Sequence, residues 1–431
     1  MNAIPTRRLV IVVRADPVIC GHSVEGRNLA EVALQRGFDD VRIVTWPIER
    51  LQQAGLPLKP LDRVLPYSAG ITVERPEPVG DYKVVDGRYQ SGVVGRLVEL
   101  FTDGVPTVCI SLYLSPHTIA VDEAVRVARA TGLPVTVQTI AEAVGSDITN
   151  VVRQCVAEGR MGAAAQVFAA YLGSDHCVAV SEYTRELIIE SAEQLDALAG
   201  TRFAPQVRER VAISYPAIDT SAYLHLDPAQ TDALLTRRGL TRDGYVFCLS
   251  RLASAKGIDD VIDGFAASAA ATDHVLVIAG RGPQEQELRD YAAASSAADR
   301  IVFLTDVDDA EKPHLMAASA SFILPTKPRP EFVETFGIAL TESMLAGGGP
   351  VITTATGGVL EAVGETATIV PVEDPAAVAA ALDRDLALTP AEREDHKTAS
   401  RAFALQFDRG IVFDRMMEGL DETLRVRVSA Q

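Results

Sequence analysis

Two doubly wound parallel α/β domains are the architecture this sequence predicts, and three observations predict it. Short β-branched runs alternate with longer Ala-, Leu- and Glu-rich stretches along most of the chain, the pattern of repeated strand–helix units. The runs are continuously apolar, as strands covered on both faces must be. The 431 residues exceed what one ordinary core accommodates, so two domains are expected.

In order, the first strands are LVIVV (9–13), VRIVT (41–45), PTVCIS (106–111), PVTVQT (134–139) and HCVAVS (176–181). Between about 204 and 244 the alternation weakens, and "APQVRERVAISYPAIDTSAYLHLDPAQTDALL" offers prolines and few strand signals. A boundary near 220 follows, giving a first domain over 1–220 and a second over 221–395. The second contributes YVFCLS (245–250), HVLVIAG (274–280), RIVFLT (300–305), SFILP (321–325) and PVITT (350–354). Beyond "DPAAVAAALDRDLAL" an amphipathic stretch runs over roughly 391–425 with no strand after it. Residues 396–431 are therefore expected as terminal helices packing back on the first domain. Ligands of such folds bind at the carboxyl ends of the strands, here in a cleft faced by both domains.

Composition narrows the partners. A formal charge of -18 argues against nucleic acid and anionic membrane surfaces. Hydrophobic residues at 48% with 23% charged describe a globular chain. Five scattered cysteines lack metal-ligand spacing and suit a reducing compartment. The opening "MNAIPTRRLVIVVRADP" has an apolar run of only Leu9 to Val13, too short for a signal peptide. No apolar stretch approaches the ~20 residues of a membrane span. A cytoplasmic protein is expected.

Three segments of the second domain sit just after strands. In "CLSRLASAKGIDD", Arg251 and Lys256 lie in a strand-to-helix loop, where two converging cations suit a diphosphate. In "FLTDVDDAEKPHLM", Asp306 and Asp308 are spaced like a metal-binding pair. Asp308 with Glu311 also fits a capping box, the reading preferred here, and no metal is assigned. In "ETFGIALTESMLAGGGPV" the helix is expected to begin near Gly337. Glu342 falls four after Ile338 and three before Leu345, on an apolar stripe. A carboxylate there needs a polar partner, and ligand hydroxyls are the partner expected. Glu334 lies just outside the helix, beside the free amides of Phe336 to Ala339.

Together these segments resemble the retaining nucleotide-sugar glycosyltransferases of family 4, which have the GT-B fold and are like glycogen synthase and sucrose synthase. The resemblance is strongest from about 245 to 375. It rests on Glu334 and Glu342 within "ETFGIALTES", on "SRLASAKG" and on "GGVLEAV". Earlier, "CGHSVEGRNLAEVALQRGF" resembles the family's first glycine turn, and "DHCVAVSEYTRELI" its last first-domain strand and helix.

The resemblance implies an acceptor domain followed by a donor domain, and roles for individual residues. Arg251 and Lys256 hold the donor diphosphate, and Glu342 takes the ribose hydroxyls. Glu334 binds the sugar near its C3 hydroxyl, helped by the Phe336 and Gly337 amides, while those of Ile338 and Ala339 face phosphate. Main chain around Val307 meets the base, and Gly21 approaches the donor phosphate or the acceptor. The donor is a nucleoside diphosphate sugar, with neither cofactor nor metal.

Many relatives carry a histidine after the strand matching "PVTVQT", where this chain has Thr139 and Ile140. His117 is a candidate substitute, and His22, beside Gly21, a candidate on the acceptor side. That departure, with the Ala-rich composition, suggests secondary metabolism and a small soluble acceptor. A lincosamide-type octose passed to a small thiol, within antibiotic biosynthesis, is the narrowest form of that expectation. A sugar-nucleotide epimerase of the same fold, or a non-catalytic sugar-nucleotide binding protein, are the alternatives. A homo-oligomer is compatible with the sequence.

Overall fold

The computed structural model describes residues 7–80 and 87–429. The chain divides into two compact units, Met1–Ala217 with Arg409–Gln431, and Ile218–Asp408.

The first unit is built on β1 (Arg8–Val12), β2 (Asp40–Val44), β3 (Ile71–Glu74), β4 (Thr107–Leu112), β5 (Val137–Ala143), β6 (His176–Ala179) and β7 (Val211–Ile213). Their order is β3-β2-β1-β4-β5-β6-β7, and neighbouring strands run parallel. Alternation along β1 sends Leu9 and Ile11 into one core and Val10 and Val12 into another, so both sheet faces are covered. On the first face the Gly21–Gln35 helix lays down Leu29, Ala30 and Ala33. The Arg409–Ser429 helix adds Phe413, Met416 and Leu420 to the same cluster. On the second face Leu97, Phe101, Ala124 and Trp46 pack against Val10 and Val12.

The second unit has β8 (Tyr245–Leu249), β9 (Val275–Ala279), β10 (Ile301–Leu304), β11 (Ser321–Leu324), β12 (Val351–Thr354) and β13 (Thr368–Val370). They form a parallel sheet in the order β10-β9-β8-β11-β12-β13. Each unit is thus a doubly wound α/β sheet, as the alternation predicts.

Three strands lie outside the expected runs. ITVE, VAI and TIV form β3, β7 and β13, each at a sheet edge with a single neighbour. Short, half-covered edge strands need no apolar run, so the sequence signal for them is weak. The strand placed at 134–139 runs instead from Val137 to Ala143. "IAEA" looks helical by propensity, but the site between β4 and β6 imposes an extended backbone.

The terminal helices also divide differently from the expected 396. The Pro390–Ala404 helix stays in the second unit. Arg401 fixes it there by donating to the carbonyls of Leu345 and Ala346, both at 2.8 Å. The Arg409–Ser429 helix alone returns to the first unit. Among the described residues, no helix is long and apolar enough to cross a membrane.

Candidate functional site

Each sheet has one switch point, where the strand order reverses: β1/β4 in the first and β8/β11 in the second. Loops at the carboxyl ends of these strands are the default ligand positions in open α/β sheets.

In the second unit the loops after β8 and β11 are fastened together. Gly257 has φ +65°, and a side chain there would meet the Pro325 carbonyl at 2.0 Å. Only glycine permits so close an approach. The Lys327 amide donates to the Ala255 carbonyl at 2.8 Å. Its buried ammonium bonds Asp259 at 2.7 Å and Asp260 at 2.9 Å. This clasp positions Lys256, whose Nζ lies 2.5 Å from Glu334 Oε2 and 4.6 Å from the centre of the Phe332 ring. Arg251 is exposed, with no acid partner among the described residues. The carbonyl of Glu334 is held in turn by the Gly358 amide at 3.0 Å. Gly357, at φ +53°, has no room for a Cβ because that carbonyl would lie 2.0 Å away.

The Ile338–Ala346 helix starts after Gly337, at φ 101°, with no side-chain cap and no acid in its first turn. Its first amides therefore lack intrahelical acceptors and present partial positive charge. Phe336 contributes only main chain, because its ring is buried edge-on against Phe407 at 5.0 Å.

Glu342 is 5% exposed, and its partners are protein. Lys312 Nζ approaches Oε1 at 2.6 Å, and the Tyr223 hydroxyl lies within hydrogen-bonding reach. Burial and the Glu342 charge push the Tyr223 phenol well above its ordinary range. The carboxylate on the apolar stripe is thus neutralised by a lysine that sequence reading had not singled out. Val307 follows β10, half-buried. Asp306 pairs with Arg238 at 2.8 Å. Asp308 accepts from the Glu311 amide at 2.9 Å, the capping half of the expected box. Glu311 itself turns to Arg237 and Arg238.

In the first unit Arg14, Gly21, His22, Tyr113 and His117 gather at the β1/β4 switch point. His117 is fully buried. Its Nδ1 donates to the Leu112 carbonyl at 2.6 Å, and its Nε2 accepts from Trp46 Nε1 at 3.2 Å. Both nitrogens are engaged with protein, and burial lowers the imidazole pKa to about 3. His22 is likewise held neutral, at about 4, by burial and by Arg14. Thr139 is in mid-strand, exchanging hydrogen bonds with Asp175.

The end of β5 carries Glu142 instead. It is fully buried, and neither oxygen meets an N–H or neutral O–H donor among the described residues. Its neighbour is Glu25, whose Oε1 accepts from the Ala217 amide at 3.0 Å. Burial raises both acids, Glu25 to about 7 and Glu142 further, with the Glu25 charge adding to the burial of Glu142. Two adjacent carboxyls this deeply buried do not readily both ionise, which favours one proton between them. Close by, four backbone amides converge on Asp147, and burial raises it to about 6. "IAEAVGSD" and "CGHSVEG" gave no hint of this acid cluster, because its members are brought together only by the sheet.

Two successive doubly wound parallel α/β units make up the GT-B fold. Solved structures agree. The chain is similar to Anabaena Alr3699/HepE, a structure with UDP and glucose, at TM-score 0.68 and 17% identity, covering 96% of this chain and 99% of that one. It is similar to WaaG, a glycosyltransferase of lipopolysaccharide biosynthesis, at TM-score 0.63 and 15% identity, covering 94% and 98%. Residues 237–403 match the family model for glycosyl transferases group 1.

Curated relatives include the GDP-mannose-dependent alpha-(1-6)-phosphatidylinositol monomannoside mannosyltransferase of Mycobacterium tuberculosis. It is 32% identical over 196 residues, 44% of this chain and 46% of the relative. The 2-deoxystreptamine N-acetyl-D-glucosaminyltransferase of Streptomyces fradiae is 28% identical over 262 residues, 55% of this chain and 60% of the relative. The chain spans about half the length of the curated relatives it matches.

Proposed function

We propose that the protein is a retaining, metal-independent glycosyltransferase that moves a sugar from a nucleoside diphosphate sugar to a small soluble acceptor. The observation that carries this reading is the Lys256–Glu334 contact at 2.5 Å beside the uncapped start of the Ile338–Ala346 helix. Cleavage of the sugar–phosphate bond builds positive charge at the anomeric carbon and negative charge on the departing diphosphate. Lys256, Arg251 and the amides of Ile338 and Ala339 are placed to receive that negative charge. One such donor is typically worth about 3–4 kcal/mol in the transition state.

Glu334 orients Lys256 and offers its second oxygen to a sugar hydroxyl. Glu342, already fixed by Lys312, takes the ribose. Retention follows from attack on the face the diphosphate leaves, with a phosphate oxygen accepting the acceptor's proton. The group 1 match over 237–403, which contains all four side chains, supports this assignment. A secondary-metabolic acceptor, including a small thiol, is compatible with it.

Calorimetry with UDP, GDP and ADP in the presence of EDTA tests the proposal. One nucleotide should bind, and Lys256→Ala should weaken it at least tenfold. No binding across the series overturns the proposal. Incubation with the sugar donor alone separates transfer from epimerisation, because an epimerase alters the sugar without an acceptor.

A further inference from the structure

We infer that Arg14 reads the small-molecule substrate of the first unit, and that this substrate carries an anionic oxygen group, a carboxylate or a phosphate. The inference rests on the glycosyltransferase reading and adds a chemical class for the acceptor.

Arg14 follows β1 directly, at the switch point of the first sheet. It is half-buried, and no acid pairs with it among the described residues. Arg27 pairs with Asp16, Arg42 with Asp40 and Glu74, and Arg96 with Glu74 and Glu99, while Arg75 and Arg210 are taken up by main-chain carbonyls. Asp16, two residues from Arg14, is engaged by Arg27, Lys59 and Tyr67.

The surroundings of Arg14 are arranged for it. Its guanidinium lies 4.7 Å above the centre of the Tyr113 ring. Tyr113 has φ 90°, a strained backbone for a bulky residue, located where β4 ends. His22 packs edge-on against the same ring at 5.9 Å. The buried Nδ1 of His22 and the Oγ of Ser23, which is 1% exposed, have no hydrogen-bond partner among the described residues. Both belong to the first turn of the Gly21–Gln35 helix, which has neither a side-chain cap bond nor an acid there. With His22 and His117 neutral, Arg14 carries the positive charge beside the Tyr113 ring. A planar fork above an aromatic ring, flanked by unused polar atoms, fits a carboxylate or phosphate.

Trp46 is the single tryptophan of the chain. It bonds His117, whose ring stands 6.2 Å from Tyr113, so its emission reports on this corner. Lys256→Ala protein, with the donor diphosphate site disabled, is titrated with inorganic phosphate and with acetate at constant ionic strength. A saturable emission change is expected with one anion, phosphate or acetate identifying which group the acceptor carries. Adding Arg14→Gln should weaken that binding at least tenfold, and Arg14→Lys should restore part of it. An unaltered titration in Arg14→Gln, or no saturation with either anion, overturns the inference. Either result leaves nucleotide binding by the unsubstituted protein standing, so the two proposals fail separately.

Discussion

Lys312 places its ammonium 2.6 Å from the carboxylate of Glu342, so the buried acid of the Ile338–Ala346 helix is held by a cation from the preceding helix. Lys312→Met leaves that carboxylate buried and uncompensated, which typically costs about 3–5 kcal/mol. The double variant Lys312→Met with Glu342→Gln should recover much of the loss, because the stranded charge is gone. Denaturant unfolding of these two variants and the unsubstituted protein checks this, and equal destabilisation of the single and double variants would refute it.

Lys256 is charged, partly exposed and poised where diphosphate charge develops. Lys256→Ala should lower kcat/KM by roughly two to three orders of magnitude, the usual effect of losing one transition-state donor. The melting temperature should fall somewhat too, because buried Glu334 loses its cation, so rates are compared where both proteins are fully folded. A near-normal rate would argue against the assignment.

Gly257 touches the loop after β11 through its missing side chain. Gly257→Ala combines a left-handed backbone with a carbonyl 2.0 Å from the new Cβ. The loop must move, at a cost of about 1–3 kcal/mol, and Lys256 moves with it. Both the melting temperature and the nucleotide affinity should fall. Gly257→Ser should do the same, as it keeps the Cβ.

The Glu25–Glu142 pair gives a pH dependence of known sign. Glu25 titrates near 7 in the folded chain against an ordinary 4.5, so the folded state binds the proton more tightly. Its stabilising contribution is whole below about pH 4.5 and disappears as pH rises through 7. The change is roughly 3 kcal/mol at about 1.4 kcal/mol per pKa unit. Glu142, itself held well above its ordinary range, adds to the fall, so Glu142→Gln removes that share and should make the curve shallower. Unfolding curves from pH 5 to 8 for both proteins measure the difference. Parallel curves would show that the pair does not titrate as described.

Much of the fold was legible in the sequence because central parallel strands announce themselves: LVIVV and YVFCLS have no polar alternative. What escaped was decided by neighbours. VAI and TIV are strands because one partner strand lies beside each, and "IAEA" is a strand despite its helical propensity because β4 and β6 flank it. In the candidate site, Arg251, Lys256, Glu334 and Glu342 could be read from spacing, since one loop or one helix turn carries each. Lys312 and Tyr223 could not, because each reaches Glu342 across the tertiary structure. Nor could the fate of His117, whose two nitrogens are claimed by a main-chain carbonyl and an indole distant in sequence.

The first unit is discontinuous: Phe413, Met416 and Leu420 complete a core begun by Leu9 and Ile11. On the ribosome, the N-terminal sheet must wait, one face sealed only in part by the Gly21–Gln35 helix, until everything from Ile218 to Asp408 has been translated. The continuous second unit is free to fold first. Nascent chains that stall before residue 409 should then be the ones chaperones retain.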